Sequence, residues 1–240
     1  MAALRASGVD VTMVRRSERP TPVAIVDLSG PEPIYRITDV GRVLHDIVPP
    51  DPPPGTRCLV VGSAVLAHQP VAGAIEALCA RAPVLAIDYN VRQPSITDAA
   101  AYTARLERLS RRAGIVKASV ADLAMIGEAD GPAYMRRMVR EGAALAVLTD
   151  GPRGAHAWSG AASASVPAPA VEVIDSVGAG DAFMAALLAA LQAEDALSHE
   201  ALGALGGETL ECHLVMAQRV AAASCTKRGA HMPFAAELCL

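Results

Sequence analysis

The sequence predicts an α/β protein, a three-layer α/β/α sandwich in which helices cover both faces of a mainly parallel central sheet. Short apolar runs typical of strands alternate with longer segments of helical character, as in successive βαβ units. Each short run is almost continuously apolar, which is typical of strands buried on both faces of a parallel sheet. The predicted strands are 57–61, 84–87, 115–116 and 145–148, and the predicted helices are 70–81, 98–112, 119–127, 131–141 and 180–193.

The segment ahead of these units has a different pattern. Residues 11–38 predict a small antiparallel β unit, because short β-type runs are separated there by turn residues. The runs are 11–14, 22–28 and 34–37. Later in the chain, residues 161–170 are rich in small side chains and are expected to form a loop.

Composition and charge exclude several classes of protein. The 240 residues carry 21 Lys and Arg against 25 Asp and Glu, and only 3% are aromatic, which disfavours a nucleic-acid-binding protein. The longest wholly apolar run, 182–191, is too short to cross a bilayer. The five cysteines are widely spaced and form no Cys-x-x-Cys pair, so we expect free thiols in a reducing, cytoplasmic protein.

The strongest motif is D-S-V-G-A-G-D at 175–181, which runs directly into an apolar helix. Gly178 and Gly180 allow a ligand to approach the backbone closely. The start of the helix points free N–H groups and the positive end of its dipole at that ligand, which suits an anion. Asp181 lies at the mouth of this site, where the alternative interpretation is an ordinary acidic residue stabilising a helix start. The motif is neither a Walker loop nor a dinucleotide fingerprint, because Phe183 stands where the latter needs glycine.

Polar residues also follow three of the predicted strands, where open α/β sheets bind ligands. Asp88, Asn90 and Arg92 share one face if their strand continues through them, and Arg92 can grip a phosphate or a carboxylate. The alternative for this segment is a surface turn before Pro94.

The other two polar segments also have structural alternatives. Ser119 and Asp122 have the spacing of a capping box at a helix start. Residues 149–154 join a strand to a β-like segment, so the structural alternative for them is a plain hairpin turn.

The string D-S-V-G-A-G-D-A-F resembles the C-terminal signature of the ribokinase-like (PfkB) carbohydrate kinases. The segments D-Y-N-V-R, K-A-S-V-A-D and T-D-G-P-R-G, and an Ala-rich helix before a closing R-G-A turn, resemble further family motifs in the same order. They are most similar to the fructokinase and ketodeoxygluconate kinase branch. The resemblance implies a ribokinase-like sandwich with a partial β-lid at 11–38, and a kinase body at 1–10 and 39–240.

The resemblance also implies a role for each segment. Asp181 would be the general base that takes a proton from a sugar hydroxyl, and the backbone N–H groups of Gly178, Ala179 and Gly180 would form an anion hole. Asn90, Arg92 and Asp181 would bind the sugar, and Lys117, Ser119, Thr149, Gly151, Gly154 and Gln218 the nucleotide. Asp122 would act indirectly on a metal; it is shorter than the Glu that the family also allows there. ATP and Mg²⁺ are the implied cofactors, and a monovalent cation is compatible with them.

The chain departs from the family at its start. The core strand with a substrate-binding acid, a G-G-x-x-x-N segment and a G-x-D-x-x-G segment are not found. Two expectations follow: a sugar kinase whose 240-residue chain has little or no activity by itself, or a catalytically inactive nucleotide-binding or interaction remnant. DNA upstream of Met1 distinguishes them, since an in-frame G-G-x-x-x-N segment favours the kinase. An exposed sheet edge would invite association, including a homodimer.

Overall fold

The computed structural model describes residues 1–27, 34–38, 43–44, 47–92, 96–234 and 237–238. Its central feature is a six-stranded sheet in which the first four strands are parallel and the last two antiparallel, in the spatial order β3-β4-β5-β6-β7-β8. These strands are β3 (Leu59–Gly62), β4 (Leu85–Asp88), β5 (Ile115–Ser119), β6 (Leu145–Thr149), β7 (Ala155–Ser159) and β8 (Ser163–Val166). Two earlier strands, β1 (Ala24–Asp27) and β2 (Ile34–Ile37), pair with each other antiparallel.

Eight helices lie within the described residues, and their bounds agree with the predicted helices to within about two residues where one was predicted. They are α1 (Ala2–Ala6), α2 (Val71–Cys79), α3 (Ala99–Ser110), α4 (Val120–Met125), α5 (Gly131–Arg140), α6 (Ala179–Ala193), α7 (His199–Gly203) and α8 (Gly207–Cys225). In the described part of the chain, no helix is both long enough and apolar enough to cross a bilayer.

The sheet separates two hydrophobic cores, which confirms the predicted sandwich. Along β6, Leu145 and Val147 pack into a core shared with α6 and α8, whereas Ala146 and Leu148 pack into a core shared with α2, α3 and α5. This alternation is the period of two expected of a strand, and both faces are apolar because both are covered. The carboxyl ends of the four parallel strands therefore lie next to one another along one edge of the sheet.

Three expectations for the strands need correction or restriction. Residues 11–14 form no strand: the Asp10 carboxylate captures the Thr12 N–H at 2.8 Å, and the Val14 N–H donates to the Val11 carbonyl. Such local turns compete with strand pairing. Residues 161–170 are not only a loop, because β8 pairs with β7 there. Of the predicted run 22–28, residue 28 lies outside the described residues. The division into a lid and a body stays a prediction.

Candidate active site

The polar segments meet at the carboxyl ends of β4, β5 and β6, as expected of parallel strands. Asp88 at the end of β4 pairs in register with Lys117 of β5, and Ser119 at the end of β5 pairs with Thr149 of β6. Sequence segments that are separated by about thirty residues therefore lie side by side on one edge of the sheet.

The glycine motif forms the N-terminus of α6. Gly178 is the N-cap and has a φ of 86°, a left-handed conformation that favours glycine. The Ala179 N–H donates to the Ser176 carbonyl at 3.2 Å, so this predicted member of the anion hole is already engaged. The N–H groups of Gly178 and Gly180, the other two predicted members of the anion hole, find no acceptor among the described residues. The same is true of the Asp181 N–H, so all three are open to an anion.

Asp175 holds the loop that leads into α6. Its carboxylate accepts from the Val177 N–H at 3.0 Å and from the Gly229 N–H at 2.8 Å. These two backbone donors lower the pKa of the Asp175 carboxyl below its ordinary value. The motif and the closing R-G-A turn are thus joined by one carboxylate, a role that sequence reasoning left unassigned.

A buried ion pair lies beneath the glycine turn. The Lys117 Nζ donates to the Asp88 Oδ2 at 2.8 Å, and the two side chains are 4% and 12% exposed. The ammonium also abuts Gly180, since a Cβ placed on that glycine would lie 3.3 Å from Lys117 Nζ. Burial raises the pKa of Asp88, and Lys117 opposes that effect. Lys117, which was predicted to bind the nucleotide, therefore donates one of its N–H groups to Asp88.

A cavity of about 360 Å³ opens beside this pair. Asp181, Asp88 and Asn90 form part of its wall, together with Gly62 and Ser63 from the end of β3. Apolar residues of α6 and β3 complete the lining: Val60, Val61, Met184, Ala185 and Leu188. The cavity therefore brings the predicted base and one predicted sugar-binding residue to one space of a size that accepts a small molecule.

The strand does not continue through Asn90, so the expected alternation of three side chains on one face is wrong. β4 ends at Asp88, and Asn90 has a φ of 38°, which turns the chain. Asn tolerates the left-handed region better than most residues because its short amide hydrogen-bonds locally. Arg92 is half-buried and its Nη1 donates to the Val91 carbonyl at 3.0 Å. It does not line the cavity with Asn90.

Ser119 and Asp122 form the capping box that was one of their two interpretations. The Ser119 Oγ accepts from the Asp122 N–H at 3.0 Å, and the Asp122 Oδ2 accepts from the N–H and the hydroxyl of Ser119 at 2.8 and 2.7 Å. The Asp122 Oδ1 accepts from the Val91 N–H at 2.7 Å, which ties the end of β5 to the segment after β4. Both carboxylate oxygens of this buried aspartate are therefore occupied.

The described residues contain no cluster of three or more His, Cys, Asp or Glu that could hold a metal ion. Both carboxylate oxygens of Asp122 already accept protein hydrogen bonds, so we assign none of the described residues as a direct metal ligand. Mg²⁺ that arrives on nucleotide phosphates needs few protein ligands, because it keeps several of its waters.

The predicted nucleotide turn is also a hairpin connection. Thr149 ends β6, Gly151 begins a 3₁₀ turn at 151–153, and Gly154 precedes β7. The Asp150 N–H donates to the Gly154 carbonyl at 2.8 Å, which closes the turn. Gln218 is buried within α8 and does not line the cavity described above. The hairpin turn does not exclude a binding role for Thr149, because Thr149 lies beside Ser119 at the edge of the sheet where the strands end.

Sequence reasoning missed Gly62 and Ser63. A Cβ on Gly62 would lie 1.8 Å from the carbonyl oxygen of Asp88, so β3 and β4 approach there as only glycine permits. Ser63 follows with a φ of 60° and faces the cavity. The available signal was a Gly-Ser pair at the end of a buried apolar run.

Residues 1–236 match the family described as pfkB family carbohydrate kinase. The chain belongs to this family. A fructokinase of Rhizobium leguminosarum bv. trifolii is 31% identical over 217 residues, which cover 88% of this chain and 67% of that relative. Three plant relatives are covered over smaller shares: fructokinase-2 of Oryza sativa (41%), fructokinase-2 of Zea mays (46%) and the probable fructokinase-5 of Arabidopsis thaliana (34%).

Solved structures of proteins named as fructokinases have the same fold. The crystal structure of a fructokinase from Vibrio cholerae O395, bound to fructose, ADP and a calcium ion, has a TM-score of 0.82 at 23% identity. A fructokinase from Xylella fastidiosa with bound ATP has a TM-score of 0.79, also at 23% identity. Each match covers 99% of this chain and 78% of the other. The ribokinase-like α/β sandwich is therefore confirmed.

Proposed function

We propose that this protein transfers the γ-phosphoryl group of ATP to a hydroxyl group of a sugar, with Asp181 as the general base. One observation carries the proposal: at the mouth of a cavity, the N-terminus of α6 presents the N–H groups of Gly180 and Asp181, which find no acceptor among the described residues, beside the Asp181 carboxylate. Phosphoryl transfer requires a site of this kind, because catalysis rests on positioning and on stabilising the charge of the transferred group.

The bonds change as follows. The sugar hydroxyl, lying in the cavity, gives its proton to the Asp181 carboxylate as its oxygen forms a bond to the γ-phosphorus. The bond between that phosphorus and the bridging oxygen breaks, and ADP leaves with the electron pair. The open N–H groups at the start of α6 donate to the phosphoryl oxygens during the transfer, and the helix dipole favours their negative charge.

The nucleotide would lie along the ends of β5 and β6. Ser119 and Thr149 stand next to each other there, and the 151–154 turn follows directly. Lys117, abutting Gly180 from below, brings positive charge to the place where the phosphates meet the glycine turn. A role for Gln218 at the nucleotide and an indirect role for Asp122 at a metal stay predictions. ATP would enter with Mg²⁺, which neutralises charge on its phosphates, and a monovalent cation also stays a prediction.

Fructose is the substrate that the relatives favour over a ketodeoxy sugar acid, because the curated relatives are named as fructokinases. Asn90 in the cavity would bind a sugar hydroxyl. Arg92 does not line the cavity, and its role in binding the sugar stays a prediction. A partial lid formed by β1 and β2 would exclude water from the transfer. A cytoplasmic location and a homodimer stay predictions as well.

The experiment measures ADP release by the purified protein with ATP, Mg²⁺ and a panel of fructose, other hexoses and ketodeoxy sugar acids. We expect slow release with fructose, in line with the little activity expected of the 240-residue chain by itself, and identification of a fructose phosphate by ³¹P NMR. Equilibrium binding of ATP is measured in parallel. ATP binding without ADP release from any sugar would contradict the proposal and favour the nucleotide-binding alternative.

A further inference from the structure

The turn after β3 places a strained serine beside the candidate base. Three described residues other than glycine have a positive φ: Ser63 at 60°, Asn90 at 38° and Asp195 at 54°. Two of them, Ser63 and Asn90, line the cavity that also contains Asp181. Residues with side chains are rarely held in this region of φ, and such strain concentrates at binding and catalytic sites.

The backbone at this turn is fixed by two contacts with the end of the neighbouring strand β4. Gly62 lies so close to β4 that a Cβ would meet the Asp88 carbonyl oxygen at 1.8 Å. The Ser63 N–H then donates to the Tyr89 carbonyl at 3.3 Å, which links this turn to the segment that leads to Asn90. The left-handed conformation at Ser63 thus follows from the packing of the two strand ends.

Fold requirements alone do not explain a serine at this position. Glycine adopts a φ of 60° without strain, whereas the Cβ of serine is crowded there. The Ser63 hydroxyl is partly exposed in the cavity, and no described residue donates to it or accepts from it. The hydroxyl therefore adds a donor and an acceptor to the cavity without contributing a contact to the fold.

We infer that Ser63 is a substrate-binding residue, whose hydroxyl hydrogen-bonds a hydroxyl group of the sugar opposite Asp181. This inference rests on the proposed function. Asn90, held in a similar conformation at the end of the neighbouring strand, presents its amide to the same space. The paired turns after β3 and β4 fix the orientation of the acceptor sugar, and Ser63 is one of its specificity-determining contacts.

Two substitutions separate the hydroxyl from the backbone strain. Ser63→Ala removes the hydroxyl and keeps the strained φ, whereas Ser63→Gly removes both. We expect the Kd for D-fructose, measured by calorimetry, to rise about tenfold in each variant, the effect of one lost hydrogen bond, with the Kd for ATP unchanged. We expect Ser63→Gly alone to raise the melting temperature, by about 2 °C or more.

Asp195→Gly is the matched control, because it relieves a similar φ at an exposed position that does not line the cavity. We expect it to leave the Kd for fructose unchanged. A fructose Kd within twofold of the wild-type value in both Ser63 variants would overturn the assignment, as would a wild type that binds no fructose. A wild type that binds fructose through Ser63 but releases no ADP would support the assignment and contradict the proposed function.

Discussion

Replacing Lys117 by methionine removes the positive half of a buried ion pair while keeping an unbranched side chain in its place. The Lys117 Nζ and the Asp88 Oδ2 are 2.8 Å apart, and the Asp88 Oδ1 is buried with no hydrogen-bond partner among the described residues. Asp88 would then be left buried without the ammonium group that pairs with it. Breaking a buried pair in this way costs about 3–5 kcal/mol of unfolding free energy, so we expect a loss of that size for Lys117→Met at pH 7.

The loss should depend on pH with a definite sign. Burial raises the pKa of Asp88 above its unfolded value, Lys117 opposes this rise, and the nearby Asp122 and Asp181 carboxylates reinforce it. A carboxyl that binds its proton more tightly in the native state loses stability as the pH rises through the interval between the two values. Without Lys117 the native pKa moves further up. The cost of Lys117→Met should therefore be larger at about pH 7 than at about pH 4.

Urea unfolding of the wild type and variants at both pH values tests this reasoning. The double variant Lys117→Met with Asp88→Asn has no charge at either of these two positions and should recover most of the lost stability. The exposed pair Arg57–Asp195, whose side chains are 48% and 83% exposed, is the matched control, and Arg57→Met should cost less than about 1 kcal/mol. A cost below about 1 kcal/mol for Lys117→Met, or a cost that falls as the pH rises, would refute this account of the buried ion pair.

Three further predictions concern the framework of the site. Gly62→Ala should lower the unfolding free energy by about 1–3 kcal/mol in urea titrations, because its Cβ would lie 1.8 Å from the carbonyl oxygen of Asp88; an unchanged midpoint would contradict this. Asp175→Ala should lower the melting temperature at neutral pH. The difference in melting temperature between wild type and variant should shrink below pH 3.8, because the wild-type carboxylate takes up a proton there. A difference that grows below pH 3.8 would be inconsistent with the lowered pKa of Asp175. Burial raises the pKa of the Cys58 thiol to about 11, so iodoacetamide at pH 8 should alkylate the exposed Cys212 before Cys58. Peptide mass spectrometry measures both alkylation rates, and equal rates for the two thiols would argue against burial of Cys58.

The alternating strands and helices could be predicted because burial on both faces makes each strand continuously apolar. Leu145 to Leu148 is the example: four successive apolar residues serve two cores. The strand predicted at 11–14 was wrong because an apolar run does not show whether a partner strand is available for pairing. The Asp10 carboxylate instead accepts a hydrogen bond from the Thr12 N–H, which forms a local turn. β8 was missed because its Ser and Ala residues have little strand propensity and depend on β7 for pairing.

The site was predictable where chemistry is local to one segment. The glycine turn and Asp181 form a continuous string, so the N-terminus of α6 followed directly from the sequence. Contacts between segments were not predictable in this way: the Asp88–Lys117 pair and the Asp175–Gly229 bond depend on how strands and turns are placed in space. Backbone conformation was equally hidden at Ser63, because nothing in its side chain signals a positive φ.

The most direct test of the central proposal compares fructose-dependent ADP release by the wild type and by Asp181→Asn. The Asp181 side chain is exposed at the first turn of α6, and asparagine has nearly the same shape, so the melting temperature should change little. We predict that kcat falls about 100-fold or more, as expected when a general base is lost, while the Kd for ATP stays within about twofold. A variant that retains kcat close to the wild-type value would contradict the assignment of Asp181 as the base.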